Sequence, residues 1–171
     1  YSLILTPSHT AVATVAAIVR AGFRPFFADI DTTTFCIDPD SVERCIDFCK
    51  QQGDPIRAVI AVHLYGNPCN INRLKVITSH NLLPLVEDVS QAHGSSFKGK
   101  SLGSFGIAGA FSLYPTKNLG AIGDAGIVVT SSSELDKKLR NTRQYGCQER
   151  GISKTPGINS RLDPIQAAIL R

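Results

Sequence analysis

The stretch "RAVIAVHLYGNPCNINRLKVITSHNLLPLVED", Arg57 to Asp88, carries a strand, a loop, a helix and a second strand. Its opening, "RAVIAVHLYG", is rich in β-branched residues and runs into "GNPCN", a cluster of turn formers. "INRLKVITSHN" reads as a helix, and "LPLVED" as a strand whose apolar run means that both faces are covered. Two such strands joined through a helix make a parallel pair with a right-handed crossover.

The same alternation runs upstream. "SLIL" is a short apolar strand, and the alanine and valine content of "TPSHTAVATVAAIVRAG" suits a buried helix from about Thr10, stopped by Gly22. "RPFFADID" is the next strand. "DPDSVERCIDFCKQQG" is a helix capped by Asp38, with Pro39 at its first position, Gly53 at its end, and one apolar face of Val42, Cys45, Ile46 and Cys49. Strand–helix alternation predicts an α/β fold, three layers deep, around a mostly parallel central sheet.

After Asp88 the pattern changes. "VSQAHGSSFKGKSLGSFG" reads as a long loop, and loops of that length inside a compact domain are usually functional. Two short strands, "GAFSLY" and "GIVVT", flank "FSLYPTKNLGAIGDAG", Phe111 to Gly126. Ser133 with Asp136 is expected to start a helix, "SELDKKLRNTRQYG"; a glycine-containing loop follows, and Asp163 and Pro164 begin a last helix.

With 171 residues the chain can bury one proper core, and 43% hydrophobic against 19% charged residues places it among globular proteins. The net charge of +4 is mild and mixed in sign. The basic tail from Lys137 to Arg161 (with Arg143, Arg150 and Lys154) reads as a solvated helix face, or as a surface for an anionic small molecule. No aromatics interleave with it as in a nucleic-acid stripe, so no nucleic acid is expected as a partner. No apolar run is long enough to span a membrane and no signal peptide is legible, so no membrane partner is expected. Five cysteines, an odd number without a CxxC, then fit reduced thiols in a cytoplasmic protein. The four histidines show no metal-ligand spacing, and no metal site is expected. The chain lacks methionine, starts inside a strand and stops inside a helix, which reads as a piece of a longer protein.

Ligands of open α/β sheets sit beyond the carboxyl ends of the strands. Asp88 ends one strand, Gln91 lies three residues on, Ser112 ends the next strand, and Lys117 follows five residues later. An acid and a lysine at neighbouring strand ends form either a simple ion pair, which is weak evidence of stability, or a catalytic pair.

The order and wording of the motifs point to chemistry. "PSHTAVATVAAIVRAGFRPFFADID", "VIAVHLYGNPCNINRL", "VEDVSQAHGSSFKGKSLGSFG", "FSLYPTKNLGAIGDAG" and "NSRLDPIQAAIL" together resemble the DegT/StrS family of nucleotide-sugar aminotransferases, over nearly all of the chain. These are fold-type I pyridoxal-phosphate enzymes, and the resemblance implies that residues 1–171 are part of an aspartate aminotransferase-like large domain. It further implies pyridoxal 5'-phosphate as cofactor, a homodimer in the full-length form, and transfer of an amino group, usually from glutamate, to a keto sugar of a nucleotide diphosphate sugar.

Carried over by resemblance, Lys117 holds the cofactor aldehyde as a Schiff base and later moves the proton at the substrate Cα. A lysine amine attacks only when unprotonated. Asp88 pairs with the pyridinium nitrogen, Gln91 lies near the ring hydroxyl, Ser112 donates to the phosphate, and Asn159 resembles an asparagine that reaches the phosphate of the neighbouring subunit. Asn159 also reads as a loop or capping residue. Arg143, Arg150 and Lys154 are candidates to meet the substrate diphosphate.

The chain departs from the family at three places. The helix with a Gly-Thr pair that supplies a phosphate site precedes the first strand of the family and has no counterpart here, nor does the C-terminal small domain. Ala11 stands where many members carry an aromatic residue over the ring, leaving His9 as a stacking candidate or a packed loop histidine. Two alternatives accompany the aminotransferase. In related pyridoxamine-phosphate dehydratases a histidine replaces the lysine, and Lys117 argues against that reading. A non-catalytic regulatory or truncated homologue is the other.

Overall fold

The computed structural model of the chain describes residues 2–149 and 151–171. Five strands and three helices build the first two thirds of the fold: β1 (Leu3–Pro7), α1 (Val12–Arg20), β2 (Arg24–Ala28), α2 (Pro39–Gln52), β3 (Ile56–Val62), α3 (Ile71–His80), β4 (Leu85–Asp88) and, after two minor strands, β7 (Ala108–Ser112). The minor strands, β5 (Ser96–Phe97) and β6 (Lys100–Ser101), form a hairpin of their own. β8 (Gly126–Val129), α4 (Ser133–Thr142), β9 (Cys147–Glu149), β10 (Ile152–Ser153) and α5 (Pro164–Ile169) complete the chain.

The central sheet runs β2-β1-β3-β4-β7-β8. Every neighbour pair is parallel except β7 with β8, which is antiparallel. This is the expected α/β architecture with one reversed edge strand. β1 is buried along its whole length, so both sheet faces are covered there. The core lies where α2 and α3 meet the sheet: Val42 and Ile46 of α2, Leu74 and Ile77 of α3, and Leu5, Val59 and Leu85 of the strands pack together. Burying a leucine or isoleucine side chain stabilises the fold by about 1.5–3 kcal/mol, so this cluster carries much of the hydrophobic stabilisation.

Local chemistry explains the element ends. Asp38 accepts from the N–H groups of Asp40 and Ser41, Pro39 occupies the first turn of α2, and Gly53 closes it with left-handed backbone. The Asn70 side chain caps α3 by accepting from Arg73 N–H.

Four expectations are corrected. α1 starts at Val12 and is mostly exposed; only Thr14 and Ile18, four residues apart, are buried, while Val12 and Val19 face outward. Apolar composition signals a helix, but the face that packs is one stripe wide. The long loop after Asp88 holds the β5–β6 hairpin, turned by Lys98 and Gly99, both with positive φ. A short polar hairpin has no periodicity long enough to read. α4 does start at Ser133 as expected, with Ser132 as its cap, whose hydroxyl accepts from Leu135 N–H. Asp163 precedes α5 without a side-chain cap, although Pro164 takes the first turn as expected. The glycine-containing loop after α4 contains the β9–β10 hairpin.

α4 buries no residue, and its charges pair along its own surface, Glu134 with Lys138 at 2.7 Å and Asp136 with Arg140 at 2.9 Å. This part of the basic tail is therefore a solvated helix face. Arg150 lies outside the described residues. Among the described residues no helix is long and apolar enough to cross a membrane.

Candidate active site

β4 and β7 lie side by side, with Asp88 opposite Ala110, so Asp88 and Ser112 emerge at the same end of the sheet. Side chains alternate along a strand, and the residue before Asp88 fixes which way it points. Glu87 is fully buried. Its Oε1 accepts from Phe105 and Gly106 N–H at 2.7 Å each, and its Oε2 accepts from Gly103 N–H at 2.8 Å. His63 Nε2 stands 3.1 Å from the same Oε2. Because His63 Nδ1 accepts from Cys69 N–H at 3.1 Å, the ring proton belongs on Nε2, which donates to Glu87. Burial pushes the Glu87 carboxyl up, but the His63 hydrogen bond and the three backbone N–H groups outweigh it and hold Glu87 below the ordinary glutamate value.

Asp88 is thereby turned to the opposite face. Its Oδ2 accepts from the Thr14 hydroxyl at 2.8 Å, and its Oδ1 accepts from Ser90 N–H at 3.1 Å. Gln91 is oriented as well: its Oε1 accepts from Tyr65 N–H at 3.0 Å, which leaves its amide NH₂ as the unused donor. The Ser112 hydroxyl accepts only a long 3.4 Å contact from Tyr114 N–H, so its proton is available to donate.

Lys117 sits on a turn in which its own N–H donates to Tyr114 O at 2.8 Å. Buried Leu113 anchors the loop by bonding Ala125 O at 2.9 Å and by accepting from Ala121 N–H at 2.8 Å. At Gly120 a Cβ would lie 2.6 Å from Pro115 O, so the chain can double back here only without a side chain. From α5, Gln166 Oε1 accepts from Ile122 N–H at 2.9 Å and pins the tip of the glycine-rich turn. The Lys117 side chain is half-buried, and its amine makes no hydrogen bond or ion pair with another described residue.

Asp88, Gln91, Ser112 and Lys117 all line one cavity of about 80 Å³, with Thr10, Ala11 and Thr14 on the α1 side. Asn159 is not among the lining residues. Its Oδ1 accepts from Arg161 Nε at 2.9 Å, and its backbone bridges to Gln144. Arg143 and Lys154 also lie off the cavity, Lys154 standing 3.8 Å from Glu149. Thr14, Ser90 and Tyr65 are contributors that sequence reasoning missed. The one legible hint was a threonine on the buried stripe of a helix of alanine and valine.

A larger cavity of about 350 Å³ lies at the other end of the sheet, between the carboxyl ends of α2 and α3 and the start of β3. It is mostly apolar, floored by Ile46, Ile56 and Leu83. Size favours it, and Lys50 and Asp54 both line it, but the Lys50 amine is already taken by Asn81 Oδ1, and open α/β sheets bind ligands at the opposite end. The smaller cavity is therefore the candidate chemical site. Its volume is well below the few hundred Å³ of a complete ligand pocket, so the described residues enclose part of a site.

The donor set fits pyridoxal phosphate. An unpartnered, half-buried lysine amine faces the same space as a carboxylate whose two oxygens are each held by one donor, leaving lone pairs for a ring N–H. A free amide NH₂ and a free hydroxyl complete the set.

Comparison with known proteins agrees. A model of the DegT/DnrJ/EryC1/StrS aminotransferase family matches residues 2–171. The chain is 41% identical over 167 residues to a protein of Geobacillus stearothermophilus named pleiotropic regulatory protein, covering 98% of this chain and 43% of that one. It is 43% identical over 169 residues to the dTDP-3-amino-3,4,6-trideoxy-alpha-D-glucose transaminase of Micromonospora megalomicea subsp. nigra, covering 98% and 44%. The solved DegT DnrJ EryC1 StrS aminotransferase from Brucella abortus superposes with a TM-score of 0.96 at 33% identity, over 99% of this chain and 46% of that one. The names of the relatives include aminotransferases of both dTDP- and UDP-linked sugars. The chain thus spans less than half the length of the proteins it matches. Their shared family model covers it from Ser2 to the last residue, and the chain belongs to the DegT/DnrJ/EryC1/StrS aminotransferase family.

Proposed function

We propose that residues 1–171 are the cofactor-bearing part of the large domain of a pyridoxal-phosphate-dependent aminotransferase. It moves an amino group from an amino acid, glutamate, to a keto sugar carried on a nucleoside diphosphate. The observation that carries this reading is the placement of the unpartnered Lys117 amine in one cavity with Asp88.

When bound, the cofactor supplies an electron sink for the bond broken at the substrate Cα. Lys117 supplies the amine that holds the cofactor aldehyde and, once released, the base that carries the Cα proton. Asp88, fixed by Thr14 and Ser90, would accept from the ring N–H and keep that nitrogen protonated. The Gln91 amide NH₂ and the Ser112 hydroxyl, both left free to donate, would meet the ring hydroxyl and the phosphate respectively. Asn159 would reach the cofactor phosphate of a second subunit through its amide NH₂, which its contact to Arg161, made through Oδ1, leaves free; this requires a homodimer. The free cysteines suit a reducing, cytoplasmic setting.

One relative is named as a regulatory protein, which favours a binding or regulatory role as the second reading. A single experiment separates the two. Full-length protein mixed with pyridoxal phosphate should show the visible band of lysine-bound cofactor, and glutamate should convert it to the pyridoxamine form. A regulatory protein would leave the band unchanged when glutamate is added.

A further inference from the structure

Three ring side chains crowd the rim of the Lys117 cavity. His9 follows β1, Phe35 follows β2 and Tyr65 follows β3, so all three stand on loops at the carboxyl end of the sheet. The His9 ring lies 5.9 Å from the Tyr65 ring, edge to face, and 6.3 Å from the Phe35 ring. Tyr65 Oη is 3.4 Å from His9 Nε2. The cluster is continuous with the cavity. Thr10 and Leu64, the neighbours of His9 and Tyr65, line it, and Tyr65 N–H holds the Gln91 side chain.

Phe35 is 46% exposed and Tyr65 66% exposed, so packing among the described residues does not account for either ring. Both residues also have left-handed backbone, φ +59° and +57°. Glycine adopts that conformation freely and bulky residues do not. It is imposed by the loops: Phe35 N–H donates to Asp31 O at 2.8 Å, and the Asp31 carboxylate accepts from Thr33 and Thr34 N–H. Cys36 Sγ then ties this loop to the Tyr65 loop through Asn67 O at 3.3 Å. Folding alone favours glycine at both positions. An exposed aromatic ring held against backbone strain at the mouth of a site is held there for a ligand.

We propose that His9, Phe35 and Tyr65 form a wall that receives the sugar ring of the acceptor substrate, a deepening that rests on the aminotransferase reading above. The apolar C–H face of the sugar lies against Phe35 and Tyr65, and its hydroxyls meet His9 Nε2 and Tyr65 Oη. The wall joins the Lys117 cavity through Gln91, and the part of a sugar nucleotide nearest the reacting carbon is the sugar itself. The base and diphosphate lie further out.

The test uses the full-length protein loaded with pyridoxal phosphate and calorimetric titration. The probes are dTDP-glucose and UDP-N-acetylglucosamine, each paired with its bare diphosphate, dTDP or UDP. Phe35→Gly and Tyr65→Gly remove a ring and relieve the positive φ together, so their melting temperatures should hold or rise. Each should weaken the sugar-bearing probe about tenfold and the bare diphosphate less than about twofold. Tyr65→Phe, which keeps the ring and drops the hydroxyl, should lose less. Equal weakening of sugar nucleotide and diphosphate, or no weakening of either, overturns the wall. Wild-type protein that binds neither sugar nucleotide overturns the aminotransferase reading and the wall with it. Wild-type binding that both glycine variants preserve overturns the wall alone.

Discussion

The Thr14 hydroxyl donates a 2.8 Å hydrogen bond to Asp88 Oδ2 across 74 residues of sequence. It links the buried stripe of α1 to the end of β4 and aims one carboxylate oxygen. Thr14→Val keeps the shape of the side chain and removes the donor. A hydrogen bond of this kind is worth about 1 kcal/mol net, so affinity for pyridoxal phosphate should fall about fivefold. Spectrophotometric titration of the apoprotein measures it, and unchanged affinity would remove Thr14 from the site.

Lys117→Ala should abolish the visible band of the bound cofactor, while circular dichroism shows the fold intact. The Lys117 side chain is half-buried, and its amine makes no hydrogen bond or ion pair among the described residues. A band that persists in the variant would mean another amine holds the cofactor.

Glu87 predicts a pH dependence of stability. Its folded-state value lies below that of the unfolded chain, because His63 and three backbone N–H groups favour the charged form over the cost of burial. The stabilisation is therefore fully present above the unfolded glutamate value of about 4.3 and is lost as pH falls through the lower folded value. Glu87→Gln places a carboxamide N–H against groups that are all donors and should cost about 1–3 kcal/mol. Urea unfolding at neutral and acidic pH checks both, since the gap between wild type and variant should narrow in acid. A constant gap would deny that Glu87 is the titrating group.

Gln166 holds the turn that follows Lys117, and the acceptor is what matters. Gln166→Leu should speed amide hydrogen exchange at Ile122 and its neighbours, whereas Gln166→Glu, which keeps an acceptor oxygen, should restore protection. Equal exchange in all three proteins would show that the backbone bonds of Leu113 suffice.

Much of this was legible along the chain. The turn of Asp38–Pro39 into α2, its stop at Gly53, and the strand ends at Asp88 and Ser112 follow from local propensity and period. Each depends on residues within a few positions. The α1 boundary and the two hairpins were misread because composition does not say which stripe packs, and strands of two or three residues carry no period.

By itself, then, the sequence determined the order of the helices and of the central-sheet strands, and put an acid at one strand end and a lysine in the loop after the next. Only the tertiary structure placed β4 against β7, brought Thr14 to Asp88, left the Lys117 amine without a partner among the described residues, and gathered His9, Phe35 and Tyr65 together. Local propensities act over a few residues. These relationships come from strand pairing and side-chain packing between segments tens of residues apart, where burial and hydrogen bonding of the whole fold decide which neighbours meet.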